Sequence, residues 1–201
     1  MNPRRRSVAL VALLLASCSQ ADAVAQTTTT SPTSPTTITT TTTTASTTRL
    51  AVTQVAALPV PEAPPEPHAV EAVVVLGAIE VPRIDLKTTL YQGIAITTFD
   101  RGPSYWPGTA LPGAMGNVVV GGHRTSKARP FRHLEKLVPG DEVIFTTGGG
   151  RFVYHVIRTE IVTPDAIWIT DQTEAYTATL FACHPVGSTK ERIVVFLELS
   201  V

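Results

Sequence analysis

A thiol closes an apolar run in Thr179-Leu180-Phe181-Ala182-Cys183-His184-Pro185, and nine positions later a lone arginine, Arg192, follows a short Gly-Ser-Thr connection. Sixty positions before the cysteine, Val118-Val119-Val120-Gly121-Gly122-His123 ends a second apolar run in an imidazole. These three residue types suffice for nucleophilic catalysis: a thiol to attack, an imidazole to move protons, and a guanidinium to hold developing negative charge. A free thiol, with a pKa of about 8.5, is only a few per cent thiolate at pH 7, whereas a free imidazole is mostly neutral there. Placing His123 next to Cys183 would favour the thiolate and imidazolium forms together, giving a nucleophile and a general acid. Arginine stays protonated at all working pH values, so Arg192 is read as an electrophilic helper and not as a base. No His, Cys or carboxylate cluster has metal-ligand spacing, and neither a metal nor another cofactor is expected.

The elements that must position these groups are strands. Val73 to Gly77, Ala78 to Pro82, Ile84 to Leu86, Thr88 to Tyr91, Val118 to Val120, Glu142 to Phe145, Phe152 to Ile157, Ile167 to Ile169, Ala178 to Phe181 and Ile193 to Leu197 are short apolar or alternating runs between Gly and Pro punctuation. That pattern predicts an all-β sandwich or closed barrel over residues 73–201. Only Pro130 to Leu137, ended by Pro139-Gly140-Asp141, reads as helix. Hairpin geometry after β-type residues at 178–184 returns Arg192 beside Cys183. His184 adjoins the thiol, but neighbours on a strand face opposite ways, so it is not the expected base. His68 reads as a solvated linker residue, His133 as a surface residue and His155 as a half-exposed strand residue. Tyr105-Trp106-Pro107 is an aromatic loop that packs into the core or flanks the groove.

Upstream the chain has a different character. Arg4-Arg5-Arg6 precede Val8 to Leu15, a run too short to span a bilayer and of the length of a signal-peptide core, giving 1–17 as a signal peptide. Leu15-Ala16-Ser17-Cys18 is similar to the lipobox of bacterial lipoproteins, which marks Cys18 for lipidation; Ala23-Val24-Ala25 offers an ordinary cleavage site instead. Residues 18–72 form a stretch that is almost pure Thr, Ser, Pro and Ala from Gln26 to Thr48 and Pro-rich after Arg49, which predicts a disordered tether. The chain is therefore expected outside the cytoplasmic membrane, held there through lipid. With Cys18 acylated, Cys183 would be a thiol without a partner in its own chain. The 16 basic residues match 16 acidic ones, and losing Arg4 to Arg6 leaves a balance of −3, so nucleic acid is not an expected partner.

From about Leu76 to Val201 the chain resembles the sortases, most of all the class E sortases of high-GC Gram-positive bacteria. The resemblance is carried by Ile79-Glu80-Val81-Pro82-Arg83-Ile84, by Gly108 to Gly113 with Gly116-Asn117 ahead of Gly121-Gly122-His123-Arg124-Thr125, by Pro130-Phe131 through Asp141, and by Thr179 to Pro185 with Arg192. It implies a closed eight-stranded β-barrel with His123, Cys183 and Arg192 as catalytic triad. It implies a cysteine transpeptidase that cleaves a Leu-(Pro/Ala)-x-Thr-Gly sorting signal between Thr and Gly. The implied partners are surface proteins with C-terminal sorting signals and an amine acceptor on a cell-wall precursor or a pilin. The alternative from a different class is a non-catalytic lipoprotein that binds such peptides without turnover. Ala182 departs from the threonine usual before the family's cysteine, and a lipid anchor departs from its usual transmembrane helix.

Overall fold

The structure, a computed structural model, describes residues 57–200. Cys18, the signal peptide and the Thr-rich part of the tether lie outside them. Eight strands close into a barrel: β1 (Val74–Val81), β2 (Leu86–Gln92), β3 (Ser104–Tyr105), β4 (Gly116–Gly121), β5 (Glu142–Thr147), β6 (Gly150–Val162), β7 (Tyr176–His184) and β8 (Glu191–Leu199). Around the barrel they run β1-β2-β3-β4-β7-β8-β6-β5. The β2/β3 and β4/β7 pairs are parallel and the other pairs antiparallel. The expected all-β closed barrel is what forms.

Alternation decides which side chains fill the barrel. Val118 and Val120 of β4, Ala178, Leu180 and Ala182 of β7, and Ile193, Val195 and Leu197 of β8 join the core. Their sequence neighbours Val119, Thr179 and Val194 point the other way and are still buried, so the outer face of these three strands is covered as well. A strand buried on both faces reads as a continuous apolar run, which is why these segments stand out in the sequence. The core position of Ala182 also places the departure from the family's threonine inside the barrel, away from the thiol's face.

Several local expectations are corrected. The two short runs before Pro82 form one strand, β1, with a bulge between Val75 and Gly77. Ile167-Trp168-Ile169 is not a strand but part of a 3-10 helix, Ile167–Thr170. Three apolar residues fit either geometry, and here the first two face solvent, at 54% and 47% exposure, while Ile169 is buried. Pro130 to Leu137 forms turns and a 3-10 helix of three residues, Leu134–Lys136, without a side-chain cap. Its apolar residues Phe131, Leu134 and Leu137 are pulled into the core from successive turns, and the stretch is too short to propagate an α-helix by itself. The one α-helix among the described residues is α1 (Ile96–Phe99), in a β-branched stretch with no helical signature.

Residues 57–72, expected as the end of the tether, hydrogen-bond to the barrel. The Glu62 N–H donates to the Pro107 carbonyl at 2.9 Å, and the Trp106 indole donates to the Glu62 carbonyl at 2.8 Å. The Ile96 N–H and the Thr97 hydroxyl donate to the carbonyls of Pro67 and Ala69, both at 2.8 Å. A proline-interrupted stretch of chain that cannot form a ladder of its own thus finds backbone partners in the loops around α1 and Trp106.

Candidate active site

Strand register brings the three expected residues together. In the parallel β4/β7 pair Gly121 lies opposite Phe181, and the Gly122 N–H donates to the Phe181 carbonyl at 3.2 Å. Two residues further along both chains, on the same outer face, come His123 and Cys183. In the antiparallel β7/β8 pair Cys183 lies directly opposite Arg192. Cys183 therefore sits on the middle strand of three, with the chain that carries His123 on one side and the strand that carries Arg192 on the other. Gly121 permits this closeness to the aromatic cover, because a Cβ there would lie 2.6 Å from the Phe181 ring and 2.8 Å from Phe99.

His123, Cys183 and Arg192 line one cleft of about 390 Å³, whose walls are α1, the 122–126 loop, and the 187–189 connection between β7 and β8. Cys183 is partly exposed and is a free thiol among the described residues. His123 is 19% exposed, and its Nε2 stands 2.9 Å from Asp100 Oδ1. Phe99 meets the imidazole edge-on at 6.2 Å and Phe181 at 6.3 Å, so the ring sits against an aromatic wall. The Arg192 guanidinium donates from Nη1 to the carbonyls of Thr189 and Glu191, both at 2.9 Å. Its remaining donors are left for a ligand in the cleft.

His184 takes no part in this cleft. Its Nδ1 accepts a 2.7 Å hydrogen bond from Nη1 of Arg124, a buried arginine at 3% exposure whose Nη2 donates to Glu135 at 2.7 Å. Burial pushes the Glu135 carboxyl up, but its own backbone N–H, the Arg124 hydrogen bond and the Arg124 charge outweigh that and hold it low. This Arg124 network ties the 3-10 helix at 134–136 to the far side of β7 and fixes the strand end that carries Cys183. His155 and His133 lie 3.8 Å from Glu142 and Glu135 on the surface, and His68 is exposed. Tyr105 and Trp106 are buried, and the Trp106 ring packs 6.0 Å from Phe181.

A second cleft of about 200 Å³ shares Phe181 and Arg192 with the first. Pro64, Trp106, Val162, Pro164 and Ile167 make it largely apolar. Among the described residues there is no group of three or more His, Cys, Asp or Glu side chains placed to hold a metal, and no helix long and apolar enough to cross a membrane. The residues that sequence reasoning missed are Asp100 and Arg124. Asp100 lies in Phe99-Asp100-Arg101-Gly102, which reads as an ordinary turn, and nothing in its spacing points to an imidazole 23 residues on.

The model of the sortase domain matches residues 79–200, more than half of the chain and all three cleft residues. The chain belongs to the sortase family. Among characterised sortases, Sortase D of Bacillus subtilis (strain 168) is 28% identical over 124 residues, covering 60% of this chain and 61% of the relative. Sortase SrtE1 of Streptomyces coelicolor is 29% identical over 134 residues, covering 59% of this chain and 38% of the relative. The alignments thus span less than two thirds of either relative's length. They share the family with this sortase and come from two of its named types, D and E1. Among solved structures, a lid mutant of Sortase A from Corynebacterium diphtheriae superposes with a TM-score of 0.61 at 26% identity, over 65% of this chain and 73% of that one.

Proposed function

We propose that this sortase is a cysteine transpeptidase acting on Leu-(Pro/Ala)-x-Thr-Gly sorting signals, with Cys183 as nucleophile, His123 as proton carrier and Arg192 as electrostatic helper. The observation that carries the reading is the register that sets Cys183 between His123 and Arg192 at one cleft. The thiolate of Cys183 attacks the Thr carbonyl, and Arg192 donates to the resulting oxyanion. His123, as imidazolium, gives its proton to the departing Gly amine, leaving a thioester on Cys183. An acceptor amine on a cell-wall precursor or pilin then attacks that thioester, returning the proton to His123 and freeing the thiol.

The apolar cleft beside Arg192 supports the substrate class. An extended peptide advances about 3.3 Å per residue, so with Thr at Cys183 the preceding Leu-(Pro/Ala) pair falls roughly 7–10 Å away, across Arg192 among Trp106, Val162 and Ile167. We read its type as class E on its motifs; relatives named Sortase D and SrtE1 are similar to it to nearly the same degree.

Incubation with a Leu-Ala-x-Thr-Gly peptide and hydroxylamine tests this reading by mass spectrometry. Cleavage between Thr and Gly with formation of the hydroxamate, lost in Cys183→Ala, is expected. Failure to cleave, or equal cleavage by Cys183→Ala, would overturn it; binding without cleavage would instead favour a peptide-binding lipoprotein. Export and lipid anchoring through Cys18 belong to the same proposal, with residues 18–56 as spacer. Incorporation of labelled palmitate that disappears in Cys18→Ala supports the anchor, and an unlabelled wild type rejects it.

A further inference from the structure

The loop from β2 to β3 sets a carboxylate on the candidate base. Asp100 Oδ1 stands 2.9 Å from His123 Nε2, with the two side chains 34% and 19% exposed. A carboxylate only accepts hydrogen bonds, so the ring proton of neutral His123 lies on Nε2 and the lone pair on Nδ1. Nδ1 is then the one ring nitrogen able to take a proton from the thiol.

We propose that Asp100 is a positioning residue for the reaction, fixing the tautomer and plane of His123 so that Nδ1 serves Cys183; this rests on the transpeptidase reading above. In the first step the Sγ proton passes to Nδ1 before the thiolate forms the C–S bond, while the Nε2 proton stays hydrogen-bonded to Asp100. The imidazolium so formed lies against an anion, which stabilises it. In the second step the Nδ1 proton goes to the leaving Gly amine as the C–N bond breaks.

Asp100 is itself held in place from several directions. Its N–H donates to the Ile96 carbonyl at 2.9 Å, ending α1, and Lys127 Nζ reaches its second oxygen at 3.7 Å. The preceding residue, Phe99, packs against the same imidazole. The start of α1 is tied in turn to Glu71, whose Oε1 accepts from the Ile94 N–H at 3.1 Å and whose Oε2 accepts from the Ala95 N–H at 3.0 Å and the Thr98 hydroxyl. The charged or titratable groups around the pair are therefore Lys127 from the His123 loop, Arg101 and Glu71 behind α1, and Cys183 and Arg192 across the cleft. The cleft keeps both His123 and Cys183 on its wall, so the Asp100 contact leaves the thiol reachable.

The test measures kcat and KM for the full chain and for Asp100→Asn and Asp100→Glu, with the peptide and hydroxylamine, alongside thermal unfolding. Asp100→Asn is expected to lower kcat by about 10- to 100-fold with little change in KM, as for other groups that orient a working histidine. Asp100→Glu, which keeps a carboxylate able to accept from Nε2, should recover part of the rate. Wild-type kinetics in Asp100→Asn would overturn the proposal. So would a faster Asp100→Asn, which would make Asp100 a latch on the base, or a slow variant that Asp100→Glu does not rescue and that unfolds at lower temperature, which would make its role structural. None of these three outcomes touches the transpeptidase reading, which fails if the wild type does not cleave or if Cys183→Ala cleaves equally.

Discussion

Two regions of the molecule serve the cleft in different ways. On the β4, β7 and β8 side, Cys183 and Arg192 ride on strands and His123 follows two residues after β4, so the ladders fix all three, and a slip of one residue in a ladder would turn a side chain from the cleft to the core. On the other side, α1 has four residues, too few to be stable alone, and its place depends on Glu71 and the 57–72 segment. The first region is held by burial on both faces, the second by a handful of polar contacts over separations of 23 to 28 residues. Position is thus robust where the chemistry is bound to the barrel, and adjustable where the cleft is walled by loop.

Substitutions that weigh the two regions should separate them. Leu180→Ala hollows the core beneath Phe181 and Cys183 and is expected to cost about 2–5 kcal/mol, read as a lower denaturant midpoint at unchanged slope. Arg124→Met removes the buried link between Glu135 and His184 and should cost about 1–3 kcal/mol, since His184 loses a donor on the back of β7. A cost as small as a surface substitution would show that the Arg124 network does not brace the strand end.

Glu71→Gln should change global stability least, by about 1 kcal/mol or less, while lowering kcat through α1. Its effect is expected to depend on pH. Burial pushes the Glu71 carboxyl up, but hydrogen bonds from Thr98, Ile94 and Ala95 and the nearby Arg101 charge outweigh this and hold it below the ordinary 4.5. A folded value below the unfolded one means the contribution is complete above about pH 4.5 and fades as pH falls through the lower folded value. Wild type and Glu71→Gln should therefore differ at pH 7 and converge in acid, by thermal unfolding; a difference that grows in acid would contradict the assignment.

The same division explains what could be read from the sequence. Cys183 and His123 were legible because each ends an apolar run before a turn, and Arg192 because hairpin geometry returns it to the thiol. Asp100 was not, since its partner is brought to it by barrel closure through the two-residue strand β3 and not by local spacing. Ile167 to Ile169 and Pro130 to Leu137 were misassigned for a related reason: only Ile169, Phe131, Leu134 and Leu137 among their residues are buried, and short runs take whatever local geometry delivers those side chains inward. Glu71 was hidden within a proline-rich stretch whose composition resembles a tether throughout, although its last part is hydrogen-bonded to the domain.

The central claim is that Cys183, set between His123 and Arg192, carries the acyl group. Intact-mass spectrometry of the acid-quenched enzyme with a Leu-Ala-x-Thr-Gly peptide, without an added amine, tests it most directly. The account predicts an adduct of the peptide lacking Gly and everything after it, mapped to Cys183, discharged by hydroxylamine and absent from Cys183→Ala. Cleaved peptide with no such adduct at any quench time, or an adduct on another residue, would contradict it.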